Sequence, residues 1–173
     1  MKKYWILIIC VLFVAAAIIV WITGPVRVDW NMTAHLIAAD GTAERSFPIT
    51  IQGKIRDSKH SEKMVDLFLD IEVPRDFRYW FISSDSGNPA WKGTELKGGN
   101  PDDLRASDDT YDTETNRPRL CHYLINVKLG YFLAYWPDDG SYLVAATDPE
   151  VKTADVIAHF RTYCELWGIA TGG

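Results

Sequence analysis

No acidic residue occurs before Asp29, and neither a Cys-x-x-Cys nor a His-x-x-x-His spacing occurs anywhere in the chain. A Gly-x-Ser-x-Gly elbow and a glycine-rich phosphate loop are also absent. Each absence removes a class of chemistry. Structural zinc sites draw on closely spaced Cys and His. Hydrolase elbows need the glycine-flanked serine. Nucleotide phosphates are cradled by the backbone N–H groups of a glycine-rich turn. Cysteine is scarce: three in 173 residues, with Cys10 inside an apolar run. There are no internal repeats and no low-complexity tract, which argues against a solenoid. Basic residues are in deficit after the N-terminus. With Lys2 and Lys3 set aside, sixteen Lys and Arg face twenty-three Asp and Glu, a balance of −7. Such a domain is repelled by phosphate-rich partners, so nucleic acid is not an expected ligand. No cofactor and no metal are expected either.

What the chain does have begins with one long apolar run. Tyr4–Ile22 carries no charge. At about 1.5 Å per helical residue it reaches roughly 28 Å, close to the hydrocarbon thickness of a bilayer at roughly 30 Å. Tyr4, Trp5 and Trp21 bracket it, as interfacial aromatics do, and Lys2 and Lys3 precede it. By the positive-inside rule the N-terminus is cytoplasmic. A cleaved signal peptide would have a shorter apolar stretch ending in a small-x-small site. Here Ala15, Ala16 and Ala17 lie mid-run, and the exit is Thr23-Gly24-Pro25. The organisation expected is therefore a cytoplasmic tail over residues 1–4, a transmembrane anchor over 5–23, and an extracytoplasmic β-rich domain over 27–173. That places the chain in the cell membrane as a single-pass protein.

The domain opens on period-two alternation. Val28, Trp30, Met32, Ala34, Leu36 and Ala38 share one face, and Asp29, Asn31, Thr33 and His35 the other, which marks a half-buried strand. Asp40-Gly41 is a hairpin dipeptide, since both residues tolerate positive φ. Alternation resumes over 46–56, with Pro48 expected at an edge or strand start because it donates no ladder bond. It is clearest over 63–73, where Val65, Leu67, Leu69, Ile71 and Val73 point inward. An aromatic strand is predicted over 77–82. Cys121, Tyr123, Ile125, Val127 and Leu129 share the next inward face. Tyr131–Trp136 and Ser141–Thr147 form a hairpin around Pro137-Asp138-Asp139-Gly140. The period then changes. Val156, Ile157, Phe160, Tyr163, Cys164 and Trp167 recur at three and four residues, the stripe of one helix. Thr147-Asp148-Pro149-Glu150 offers capping chemistry at its start, and Gly168 a stop.

Residues 83–118 break the pattern. They are rich in Gly, Ser, Asn, Asp and Pro, and read as a long polar loop with a short strand near Asp109-Thr110-Tyr111. Long loops on rigid scaffolds concentrate binding residues. Trp91, flanked by Lys92 and followed by Lys97, is the aromatic that alternation does not place in the core. These three are the candidate binding residues, suited to a protein or glycan partner.

The remaining polar residues have plainer readings. Asp66 and Asp70, about 13 Å apart along a strand, are too far apart for paired-carboxylate hydrolysis, which needs roughly 5–10 Å. The run Asp108-Thr110-Asp112 lacks an EF-hand's turn glycine and closing glutamate; Thr113 and Arg119 stand there. Cys121 and His122 are strand neighbours and point to opposite faces. Asp155 and His159, at i and i+4 on the helix, read as a surface ion pair. Asn31-Met32-Thr33 is a glycosylation sequon where that machinery exists. Cys121 and Cys164 both face inward by period. Outside the cytoplasm they form a possible disulfide.

The fold class expected is thus α+β: an antiparallel meander of seven or eight strands, in one variant curled into a barrel, with one C-terminal helix. The function expected is a membrane-tethered extracytoplasmic binding or scaffold module without enzymatic activity. The alternative is a small hydrolase or ligand-carrying barrel that uses 83–118 as a lid.

Overall fold

The computed structural model describes residues 2–57, 62–82, 87–97 and 99–169. An N-terminal helix, α1 (Lys2–Thr23), comes first. Its side chains at residues 5, 6 and 8–16 are exposed. Among the described residues no helix is long and apolar enough to cross a membrane.

Among the described residues nine strands follow: β1 (Val26–Ile37), β2 (Ala43–Asp57), β3 (Met64–Glu72), β4 (Tyr79–Phe81), β5 (Asn88–Lys92), β6 (Asp103–Asp112), β7 (Arg117–Asn126), β8 (Tyr131–Tyr135) and β9 (Tyr142–Ala146). Every pairing is antiparallel. Eight strands close into a ring in the order β1-β2-β3-β5-β6-β7-β8-β9, and β9 returns to β1. The short β4 shares with β5 one edge of β6, while β7 takes the other along its full length. Closure removes most of the open edges that a flat meander would leave. We call the end where β1 follows α1 the near end. The end where β1 turns into β2 is the far end.

Alternation fills the barrel. Val28, Met32 and Ala34 of β1, Ile49 and Ile51 of β2, Val65 and Leu67 of β3, Tyr123 and Ile125 of β7, Phe132 and Trp136 beside β8, and Leu143 of β9 pack in one interior cluster. The hairpins form as their residues dictate: Gly41 sits at φ +84° and Gly140 at φ +73°. Pro48 lies in β2 just past Thr50, where the pairing with β3 ends, so its missing donor falls where one edge of β2 is bare.

Strands β7, β8 and β9 are buried on both sides. Their outward residues Leu124, Leu133, Tyr142 and Val144 form a second cluster with Val156, Phe160, Tyr163, Cys164 and Ile169. The layer that covers them is two helices: α2 (Thr153–His159) and α3 (Arg161–Trp167). They meet at Phe160, whose ψ of 17° breaks the helical path, so the single helix expected is divided. The Thr147–Glu150 stretch is a turn that precedes the helix. Asp155 supplies the cap by accepting from the Lys152 N–H at 3.1 Å. Gly168 ends α3 in the left-handed region at φ +73°, as its position predicts.

Three other expectations are corrected. The described residues of 83–118 are not the long polar loop expected. They contain β5, a 3-10 turn at Gly93–Glu95 and the ten-residue β6, so most of the segment is barrel wall. Polar residues hid β6 because Asp108, Thr110 and Asp112 occupy inward positions. The expected Cys121–Cys164 bridge is not formed: both thiols are free and buried. Cys121 belongs to the barrel interior and Cys164 to the helix layer outside, so the wall stands between them. Burial pushes both thiols up, Cys164 to about 12. Leu129, expected inward, is exposed in the β7–β8 turn.

Candidate functional site

Strand β1 is longer than its neighbour β9. Its twelve residues pair with β2 throughout. With β9 they pair only from Thr33 to Ile37. Val26–Met32 therefore has a ladder on one edge and, among the described residues, none on the other. The cause is local. Strand β9 ends at Ala146, where the Thr147 N–H turns to Gly130 O at 2.9 Å. Asp148 then accepts from the Glu150 N–H at 2.9 Å, and Pro149 has no donor to offer. The chain leaves the sheet there and climbs into α2.

A groove of about 570 Å³ opens at this divergence. One bank is β1 and β2, through Asn31, Thr33, His35 and Thr50; the other is the turn and the start of α2, through Asp148 and Thr153. Its polar groups are amides, hydroxyls and an imidazole, and Asp148 is the one charged side chain along it. Thr50 Oγ1 donates to Asn31 Oδ1 at 3.1 Å, and His35 Nδ1 lies 2.8 Å from Ser46 Oγ. These bonds tie the outer faces of β1 and β2 together along the groove.

Three other polar clusters are internally satisfied. At the far end Asp112, fully buried, receives Arg78 Nε and Nη2 at 3.2 and 3.0 Å and the N–H groups of Glu114 and Thr115. The Arg78 guanidinium holds its carboxyl well below the usual carboxylate range. Arg78 also lies over the Tyr79 ring, and Tyr79 stacks on Trp136 with centroids 4.4 Å apart. This cluster lies at the far end of the barrel, where Arg78, Tyr79 and Asp139 also line an open hollow of about 420 Å³.

Near β6 and α2, His159 Nε2 meets the buried Asp103 carboxylate at 2.8 Å, and Asn126 Nδ2 donates to the same oxygen at 2.7 Å. The expected Asp155–His159 pair is thus replaced, because Asp155 is used as the cap. On the outer face of β6 and β7, Ser107 Oγ lies 2.6 Å from His122 Nδ1, and Trp167 stacks on both His122 and Tyr135. Burial, then Arg105, pulls the His122 imidazole below its ordinary value. A serine beside a neutral imidazole has the start of a nucleophile pair. No carboxylate contacts that imidazole among the described residues, and none of their Asp, Glu, His and Cys side chains form a group able to hold a metal ion.

The sequence-predicted binding residues lie elsewhere. Trp91 is on β5, half-buried, opposite Met64 and Arg105. Lys92 pairs with Asp57 at 3.3 Å, and Lys97 is exposed after the 3-10 turn. They share the near end but lie three strands away from β1 around the ring. Sequence reasoning missed the groove because its signal is relational. The first alternating run is long and the last is short, which matters only once β1 and β9 are known to be neighbours. No family model, curated protein or solved structure matches this chain.

Proposed function

We propose that this chain is a membrane-tethered, extracytoplasmic binding module whose partner seats on the outside of the barrel. The observation that carries the reading is a filled interior beside an open external groove. Trp136, Phe132, Leu143 and Ile51 are at most 1% exposed. The space beside Tyr123, Asn88 and Asp108 amounts to about 10 Å³, at most the room of one water. A ligand carrier needs a cavity of several hundred Å³, roughly 300 or more, and a lidded hydrolase needs a lid; residues 87–112 serve largely as wall. Tethering is supported by the charge-free run Tyr4–Ile22 behind Lys2 and Lys3. Only Gly24 and Pro25 separate α1 from β1, so the bare edge of β1 lies next to the bilayer in this reading.

The test places a photo-crosslinking residue at Asn31, on the groove, or at Lys97, in the segment singled out by sequence, in the full chain in its native membrane. External protease should digest the domain in right-side-out vesicles. A defined adduct should form at Asn31. Adducts at Lys97 alone would move the binding surface to the 83–118 segment. Protection of the domain from external protease would refute the topology.

A further inference from the structure

We infer that the bare edge of β1 at Val26–Met32, which meets the groove at Asn31 and Met32, takes an extended polypeptide strand of a partner protein that continues the sheet where β9 leaves it. The inference rests on the binding-module reading and names the chemistry of its partner. The edge is seven residues long in the β1–β2 register, about 23 Å at about 3.3 Å per residue. At every second residue it turns its backbone N–H and C=O groups to the side that β9 leaves open. Neither the ladders nor the turn and loop bonds supply those groups with partners among the described residues. Another backbone strand is the ligand that satisfies such a row at its own spacing, while alternate side-chain positions give selectivity.

The banks define the rest of the partner. Asn31, Thr33, Thr50 and Thr153 offer amide and hydroxyl groups to one face of the incoming strand. Asp148 is the charged side chain of the groove, Arg27 and Asp29 stand exposed on the edge itself, and the chain carries a net charge of −5. The strand that fits is therefore uncharged or carries a single cation, and presents hydroxyl side chains on one face. An acidic segment is excluded by repulsion.

The probe is a capped heptapeptide, Thr-Val-Thr-Val-Thr-Val-Lys, with a fluorophore on the lysine, titrated against the full chain in nanodiscs. Two further versions carry N-methyl groups on the three threonines or on the three valines. Side chains are unchanged, but each version removes the donors of one strand edge. Strand addition requires that the parent peptide bind and that one methylated version lose at least tenfold in affinity while the other keeps it. Amide exchange over residues 26–32 should be fast in the free protein and slow at least tenfold with the parent peptide. Thr153→Trp, which fills the rim, should weaken binding at least fivefold; Asn31→Trp does so from the opposite bank if the first variant is poorly folded. Absence of binding by the parent peptide, or equal affinities of all three, overturns the proposal. Slow exchange over 26–32 in the peptide-free protein that scales with protein concentration overturns it in favour of a second copy of this chain. If crosslinks form at Asn31 while methylation has no effect, the strand mode fails and the binding-module reading stands.

Discussion

Replacing Arg78 by Met strips the far-end cluster of its charge and keeps an apolar stem over Tyr79. Asp112 is fully buried, and Arg78 provides two of its bonds. Removing one partner of a buried pair costs about 3–5 kcal/mol. Here the loss is smaller. The Glu114 and Thr115 N–H groups remain at 3.0 and 3.3 Å, and Arg119 Nε stands at 3.6 Å. A destabilisation of about 2–3 kcal/mol follows from one lost charged hydrogen-bond pair. The pH dependence has a definite sign. The folded-state Asp112 carboxyl lies below its ordinary 3.8, so its contribution is fully present above about pH 5 and is lost as pH falls toward the folded value. In Arg78→Met that contribution shrinks, so the gap between parent and variant is widest near neutral pH and closes as acid is added. Denaturant unfolding of the full chain in detergent, followed by tryptophan emission, measures it; Trp136, stacked on Tyr79, reports the cluster directly. A variant within about 0.5 kcal/mol of the parent, or a gap equal at pH 7 and pH 3, refutes the reasoning.

Phe160→Ala removes a fully buried ring from the helix layer and should cost about 3–5 kcal/mol, read as a lower unfolding midpoint with the barrel's β signal in circular dichroism retained below it. Gly130→Ala forces a Cβ to 2.0 Å from Thr147 Oγ1 at φ +64°; it should destabilise by more than about 1 kcal/mol and speed amide exchange at Thr147. The folded, unreduced protein should show Cys121 and Cys164 as slow alkylation sites, and urea without reductant should make both fully reactive. A mass consistent with an intact bridge between them would contradict the separation of the two clusters. His159→Ala should leave the Asp103 and Asn126 side chains short of one partner and lower the unfolding midpoint; an unchanged midpoint would contradict that role.

Much of the fold was legible in local pattern. Alternation over 28–38, 46–56 and 63–73 marks strands because one face of each meets the interior and the other meets water. Asp40-Gly41 and Asp139-Gly140 fix their hairpins because glycine accepts positive φ without a steric cost. The change of period at Val156 marks the helical layer, and Gly168 its end. Beyond that the tertiary structure decided. Strand β6 was hidden because Asp108, Thr110 and Asp112 point inward, and only Asn88, Trp136 and Arg78, which come from elsewhere in the chain, make those positions tolerable. Cys121 and Cys164 were both correctly placed as buried, yet period alone does not say on which side of a closed wall a buried face lies. Asp155 and His159 were placed at the right spacing, but each found a partner outside the other's reach. The groove belongs wholly to the second kind of knowledge. Sequence determines the length of each strand, since that follows from its own run of residues and its own turn. Which strands become neighbours follows from barrel closure, and the bare edge of β1 exists only because closure set a twelve-residue strand beside a five-residue one.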